Sequence, residues 1–500
     1  MEPVRERPVQ SLPHKLDDGD QRHANAFLLA LALYFVLHVV IRVAQRGALT
    51  LDEAEMVFDS QQLRLGYGIQ PPLYTWVQWL LFKVTGVSHF GLSFLKNGVL
   101  FALYVCVFQL SRFLLGTLAA AAIASSVALL VPLGWDAAID RTHSLLATAL
   151  AAGALWTYFL LLQQPSRLRS ALLGLLIGLG MLSKYNVVIF VLGLAAASLL
   201  VPEHRKLIWT RDLWITVAVA TLCLLPHTVW FFQQIDAATA ETLNKMKGGD
   251  HRSGYVDNVM RGFEYFFLGI ISFITPLWMA LAIAYRSPRA GTLQLHTPQA
   301  RVFVWLFAIG LACVAALVLS GHLSNIKSRW LQTLLFPLPL AFCVVFPPRQ
   351  AAVYRRLLVT SAAAAAVMLV ALTVRPHLKT VFGSGTRIAE PYPELTAELV
   401  RRFGDLRVVG VQNRWIGGNV RIQLPHAQVL ALDELCGQAA FPADRVLILI
   451  DVSKKRRVGP GLERCPALRV LERGRIGAQF SGADPNSLLF DYALVQGTRK

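Results

Sequence analysis

Stretches of about twenty apolar residues recur along this 500-residue chain, a length suited to crossing a lipid bilayer as a helix. At 1.5 Å of rise per residue, ~20 residues cover the ~30 Å hydrocarbon core. The first such stretch covers about 25–44. Others follow at about 91–115, 117–135, 142–163, 212–232, 264–285, 301–320, 330–347 and 354–374. The stretch 168–201 is too long for one span and is interrupted by Ser183-Lys184-Tyr185-Asn186. Its halves read as two short helices meeting at a polar apex, which is tolerated only where the apex is buried in protein or faces water. The expectation is a polytopic α-helical membrane protein with about eleven transmembrane segments.

Composition agrees. Hydrophobic residues are 55% of the chain and charged residues only 16%, against roughly 25% charged in soluble domains. That excludes a disordered chain, a collagen-like fibre and a typical cytosolic enzyme. The net charge of +18 reflects basic cytoplasmic loops rather than a nucleic-acid partner. Six cysteines form no metal-ligand spacing such as CxxC.

The basic residues order the loops. Residues 1–24 are polar and read as a cytoplasmic segment with no cleavable signal. With that end inside, each short inside connection is basic: Arg112, then Arg167 and Arg169, then Arg205, Lys206 and Arg211, then Arg286, Arg289 and Arg301, then Arg349, Arg355 and Arg356. The loops 45–90, 134–141, 183–186, 233–263 and 321–329 then lie outside. Residues 25–375 make the membrane domain, and 376–500 an outside (periplasmic) domain. The run Lys454-Lys455-Arg456-Arg457 pulls the other way, but long domains translocate largely regardless of charge. Short β-rich stretches at 406–411, 428–432, 445–452, 468–472 and 488–496, with a helical segment at 393–403, make that domain a small α/β unit. Cys436 and Cys465 lie outside the apolar spans, where an oxidising compartment permits either a disulfide or two free thiols.

Chemistry concentrates in the outside loops. The first opens with Asp52-Glu53-Ala54-Glu55, three carboxylates in four residues. A stiff turn, Gly66-Tyr67-Gly68-Ile69-Gln70-Pro71-Pro72, leads to a helix from Leu73. Its apolar residues Leu73, Trp76, Val77, Leu80, Leu81 and Val84 share one face suited to the membrane interface. The second loop carries Asp140 and His143. Asp140, at the start of a span, suits a helix-capping role as well as a chemical one. Lys184 and Tyr185 sit at the apex between the two short helices, where an ammonium is costly unless paired or functional. Lys327 and Arg329 occupy the last small loop, while Lys245, Lys247 and Arg252 read as a solvated face. Carboxylates with Lys and Arg at a lipid interface suit a substrate with a phosphate head and an acyl or prenyl tail. Gly174, Gly178 and Gly180 read as close helix packing, and His227 as a packed or capping residue.

An Asp-Glu pair after the first span, a Pro-bearing amphipathic loop helix, an Asp opening a later span and a Lys breaking a Gly-rich span resemble the polyprenyl-phosphate-dependent glycosyltransferases of GT-C type. These include the family 39 protein O-mannosyltransferases and the lipid A aminoarabinose transferases. The resemblance implies inverting transfer of a sugar from a lipid-phosphate donor, such as undecaprenyl phosphate, to a cell-envelope glycolipid or glycan on the periplasmic side of the inner membrane. It implies catalytic roles for Asp52, Glu53 and Asp140, with Asp52 as base or orienting group. Lys184, Tyr185, Gln70, His143, Lys327 and Arg329 are then the substrate-binding residues. Family members often place Lys or His before the loop proline. Here Gln70 precedes Pro71, so Lys83, Lys96 or Arg329 would have to supply that charge. Neither a metal nor another cofactor is expected. Broken helices also occur in transporters, so a flippase or transporter for a lipid-linked or anionic substrate is the alternative, although no matching broken pair exists in the other half.

Overall fold

In the computed structural model the described residues are 18–235, 254–287, 290–381, 390–436, 445–452, 469–478 and 488–496. Helix α1 (Asp18–Gln45) leads into the first loop, which carries α2 (Leu51–Asp59) and α3 (Leu73–Thr85). The bundle continues with α4 (His89–Leu115), α5 (Thr117–Ser126), α6 (Trp135–Ile139), α7 (His143–Gln163), α8 (Arg167–Ser183) and α9 (Val187–Leu200). Then follow α10 (Pro202–Ile208), α11 (Asp212–Gln233), α12 (Tyr255–Ala284), α13 (Pro298–Leu319), α14 (Gln332–Leu335), α15 (Leu338–Val345) and α16 (Ala351–Val381). Among the described residues seven helices are individually long and apolar enough to cross a membrane: α1, α4, α7, α11, α12, α13 and α16. The chain is a multi-pass membrane protein.

Several boundaries differ from the hydropathy reading. Helix α1 already includes Asp18, the first described residue, so it reaches further towards the N-terminus than the apolar stretch that opens near residue 25. The stretch 117–135 is not one span: α5 stops at Ser126 and a 3-10 turn covers Val127–Leu129. Near 330–347 the chain breaks into α14 and α15 at Pro337, which cannot continue a helix interior. Helix α12 begins at Tyr255, inside the expected loop 233–263, and α16 runs through Pro376 to Val381. Lys245, Lys247, Arg252, Cys465 and the run 454–457 lie outside the described residues.

The C-terminal domain contains α17 (Tyr392–Phe403), β1 (Val408–Val411), α18 (Arg414–Gln423), β2 (Gln428–Ala431), α19 (Leu432–Cys436), β3 (Arg445–Asp451), β4 (Arg469–Ala478) and β5 (Leu488–Gln496). Sheet order is β2-β1-β3-β5-β4, with β2, β1 and β3 parallel and β5 and β4 antiparallel. Side chains alternate across a strand, so Val446, Ile448 and Ile450 pack on one face while Leu447 and Leu449 face the other. That second face shares one core with Leu49, Ala54, Met56, Val57 and Phe58 of the first loop and with Phe82 and Leu92. The domain therefore sits directly on the loop that opens after α1.

Two glycines let α18 approach α2. A Cβ at Gly418 would strike the Ala54 carbonyl oxygen, and one at Gly417 would strike the Phe58 ring. A backbone carbonyl cannot swing away as a side chain can. Gly418→Ala should therefore cost about 1–3 kcal/mol and displace α2, read as a lower thermal midpoint in detergent. An unchanged midpoint would show that α2 tolerates a wider separation.

Candidate functional site

Helix α2 is fixed before it does anything. Thr50 is its N-cap, and the Thr50 amide donates to the Glu53 carboxylate at 3.1 Å. Glu53, 3% exposed, also accepts from Arg42 of α1 at 3.0 and 2.6 Å and lies 3.9 Å from Lys96 of α4. Burial pushes its carboxyl up, but Arg42 and Lys96 hold it well below the usual carboxylate range. Lys96 donates onward to the carbonyls of Ala138 at 3.0 Å and Ile139 at 3.4 Å. Those carbonyls lie just before Asp140, whose carboxylate accepts the Asp52 amide at 2.9 Å. From Arg42 to Asp52 the contacts form one unbroken chain.

This arrangement gives two of the three expected catalytic carboxylates, Glu53 and Asp140, structural partners. Glu53 is not among the residues lining the cavity of Asp52 and is committed to Arg42 and Lys96, which gives it a structural role. Asp140 caps the N-terminus of α2 from another loop instead of opening α7, and thereby positions Asp52. Burial and the Asp52 charge raise its pKa to about 6.

Asp52 lines a cavity of about 400 Å³. Glu55, Gln70, His143, Lys184, Tyr185, Lys327 and Arg329 line it too. Among the candidates for the missing loop charge, only Arg329 reaches the cavity. Lys96 is held by Glu53 and the two carbonyls, and Lys83 lies over the Trp79 ring at 5.0 Å. Glu55 is the cavity residue that the sequence reading left unassigned. Its spacing was the signal, since three residues along a helix brings it to the face of Asp52. Burial raises the Asp52 pKa, the Glu55 charge adds to that, and Arg329, Arg141 and Lys184 oppose it.

The remaining groups suit an anion. Lys184 follows α8 directly and donates to the Ser144 hydroxyl. Asn186 donates to the Trp330 carbonyl at 2.8 Å, joining this break to the loop that carries Arg329. His143 is 4% exposed, and neither ring nitrogen has a hydrogen-bond partner in the described structure. The first residues of α7 and of α9 both lie at the cavity, so two positive helix ends meet there beside Lys184. Apolar Val188, Ile189, Val314 and Leu317 complete the wall, which suits a lipid tail. Among the described residues no group of three or more His, Cys, Asp and Glu side chains could hold a metal ion.

The family described as dolichyl-phosphate-mannose-protein mannosyltransferase matches residues 69–230. The lipopolysaccharide core galacturonosyltransferase RgtB of Rhizobium johnstonii is 31% identical over 439 residues, covering 87% of this chain and 88% of its own. RgtA of the same organism, described likewise, is 30% identical, covering 81% of this chain and 82% of its own. Among solved structures, apo ArnT from Cupriavidus metallidurans matches with a TM-score of 0.54 at 14% identity, over 94% of this chain and 98% of its own. That likeness shows the fold.

Removing the carboxylate at the head of the chain of contacts strands two buried cations. Glu53→Gln should lower stability by about 3–5 kcal/mol, measured as a fall in thermal midpoint. A midpoint equal to the parent's would mean that Arg42 and Lys96 are already compensated elsewhere.

Proposed function

We propose a reaction from the premise that this chain belongs to the GT-C membrane glycosyltransferases that include the lipopolysaccharide core galacturonosyltransferases. It transfers a galacturonosyl unit from a polyprenyl-phosphate donor, undecaprenyl phosphate in bacteria, to the lipopolysaccharide core. The reaction takes place at the periplasmic face of the inner membrane, where the C-terminal domain also lies. Membership in a family of named glycosyltransferases displaces the transporter alternative. The observation that carries the reading is one cavity lined by Asp52 together with Lys184, Lys327 and Arg329 and by apolar residues. Three cations suit a donor with two acids, the phosphodiester and the uronate carboxylate.

In this reaction a core hydroxyl attacks C1 of the sugar from the face opposite the phosphate. The C1–O bond to phosphate breaks with inversion, and polyprenyl phosphate leaves with the bonding pair. Asp52 accepts the hydroxyl proton, helped by its raised pKa. Lys184, Arg329 and the helix ends stabilise the charge that gathers on the leaving phosphate. His143, Tyr185, Gln70 and Lys327 hold the sugar and its carboxylate. The step calls on no metal, and Glu53 is withdrawn into its ion pairs with Arg42 and Lys96.

Purified protein in detergent, given undecaprenyl-phosphate galacturonate and core lipopolysaccharide, should add one hexuronic acid to the acceptor by mass spectrometry, with or without excess EDTA. Asp52→Asn should lower kcat by about 10²–10⁴-fold, and Lys184→Ala by about 10²–10³-fold. Parent-like turnover in both variants would remove the assignment.

Ionised Asp52 is the active form, so kcat/KM should fall as pH drops through its raised pKa. Glu55→Gln removes the like charge, and the acidic limb should shift to lower pH. A limb that stays in place would mean that another group sets it.

A further inference from the structure

A second cavity, of about 370 Å³, lies between the first loop and the C-terminal domain, lined by Asp59, Arg64, Tyr67, Trp230, Arg414 and Glu434 among others. Its walls are held firmly. Gln61 exchanges two hydrogen bonds with the main chain of Val429 on β2, at 2.8 and 2.9 Å. Arg414 reaches Asp59 at 3.3 Å, and Arg64 reaches Glu434 at 2.7 Å. The Trp230 indole packs on Gly66, where a Cβ would collide with it.

Two features join this cavity to the donor cavity. One turn separates them: Gly66, Tyr67 and Gly68 face the second cavity, while Ile69, Gln70 and Pro71 face the first. Helix α2 runs between them, with Asp52 and Glu55 at one end and Phe58 and Asp59 at the other. The seven helical steps from Asp52 to Asp59 span roughly 10 Å, about the length of a disaccharide. A stack of rings also crosses between them. Tyr185 lies on His227 at 5.8 Å and His227 on Trp230 at 5.4 Å, near parallel in both cases. The His227 Nδ1–H donates to the Leu65 carbonyl at 2.6 Å, so its Nε2 accepts from the Tyr185 hydroxyl at 2.8 Å.

We propose that the second cavity is an acceptor subsite for a hydroxyl-rich sugar unit lying further inside the glycan than the hydroxyl that receives the transferred sugar. The two arginines are balanced by two carboxylates, so an anion gains little net attraction there. Paired guanidinium and carboxylate groups offer donors and acceptors side by side, and Trp230 and Tyr67 offer aromatic faces to pyranose C–H groups. This subsite rests on the glycosyl-transfer reading above, which supplies the acceptor.

The test uses the full chain in detergent and core oligosaccharide freed of lipid A by mild acid. Binding is measured by calorimetry, alongside binding of undecaprenyl phosphate as a check on folding. Ala431→Trp, which fills the cavity from the end of β2, should weaken oligosaccharide binding at least about tenfold, and Glu434→Gln about threefold or more. Undecaprenyl phosphate affinity should stay within about twofold of the parent. Parent-like oligosaccharide binding in both variants overturns the subsite and leaves the transfer reading intact. So does a parent protein that transfers sugar but does not bind the oligosaccharide. Binding that is lost in the variants, from a protein that transfers no galacturonate, supports the subsite and removes the reaction instead.

Discussion

The ion cluster of Arg42, Glu53 and Lys96 is the contact on which the rest of the site depends. Charges placed near the ends of apolar helices are expensive to desolvate, and they persist only where partners compensate them. Here one carboxylate joins α1 and α4 to the first turn of α2, and Lys96 passes the constraint to the loop of Asp140. Three segments distant in sequence are thereby fixed in one register. Greasy packing would hold the helices together, but it would tolerate sliding by a fraction of a turn. A bidentate guanidinium–carboxylate pair does not.

The C-terminal domain performs the matching task from the other side. The Asn419 carbonyl oxygen accepts the Leu49 amide at 2.6 Å, and its amide group donates to the Trp415 carbonyl at 2.9 Å. Arg421 donates to the Val57 carbonyl and Arg414 to Asp59. Helix α2 is thus clamped between buried charges at its start and a folded domain along its length. An isolated nine-residue helix would be marginal in water. Among the domain's described residues no group of three or more His, Cys, Asp and Glu side chains could hold a metal ion.

Much of this was legible in sequence, and unevenly so. Hydropathy located the long helices because lipid demands an unbroken apolar length. It failed at 117–135 and 330–347, where alanine-rich or proline-broken segments are buried by protein and need not span lipid. Asp52, Lys184 and Arg329 share a cavity, as the order of loops implied. Glu53 carried a local signal that was available: Thr50-Leu51-Asp52-Glu53 has the spacing of a capping box, which marks the glutamate as a cap. The contacts of Asp140 with Asp52, 88 residues away, and of Asn419 with Leu49, 370 away, depend on tertiary packing and leave no local pattern.

The three helix ends at the cavity of Asp52 show how charge is divided. The positive end of α2 is already answered by Glu53 and by Asp140, so it adds little attraction for a ligand. The N-cap residues of α7 and α9, Thr142 and Asn186, make no side-chain cap hydrogen bond, and Lys184 stands beside both ends. Positive potential thus comes to this cavity from Lys184, Arg329 and the ends of α7 and α9 rather than from α2. If Asp140 were neutral, Glu53 alone would answer the positive end of α2 next to Asp52. Ionised Asp52 would then be more stable and a weaker base. The capping carboxylate therefore does more than hold an amide: its charge also opposes ionisation of Asp52 beside it.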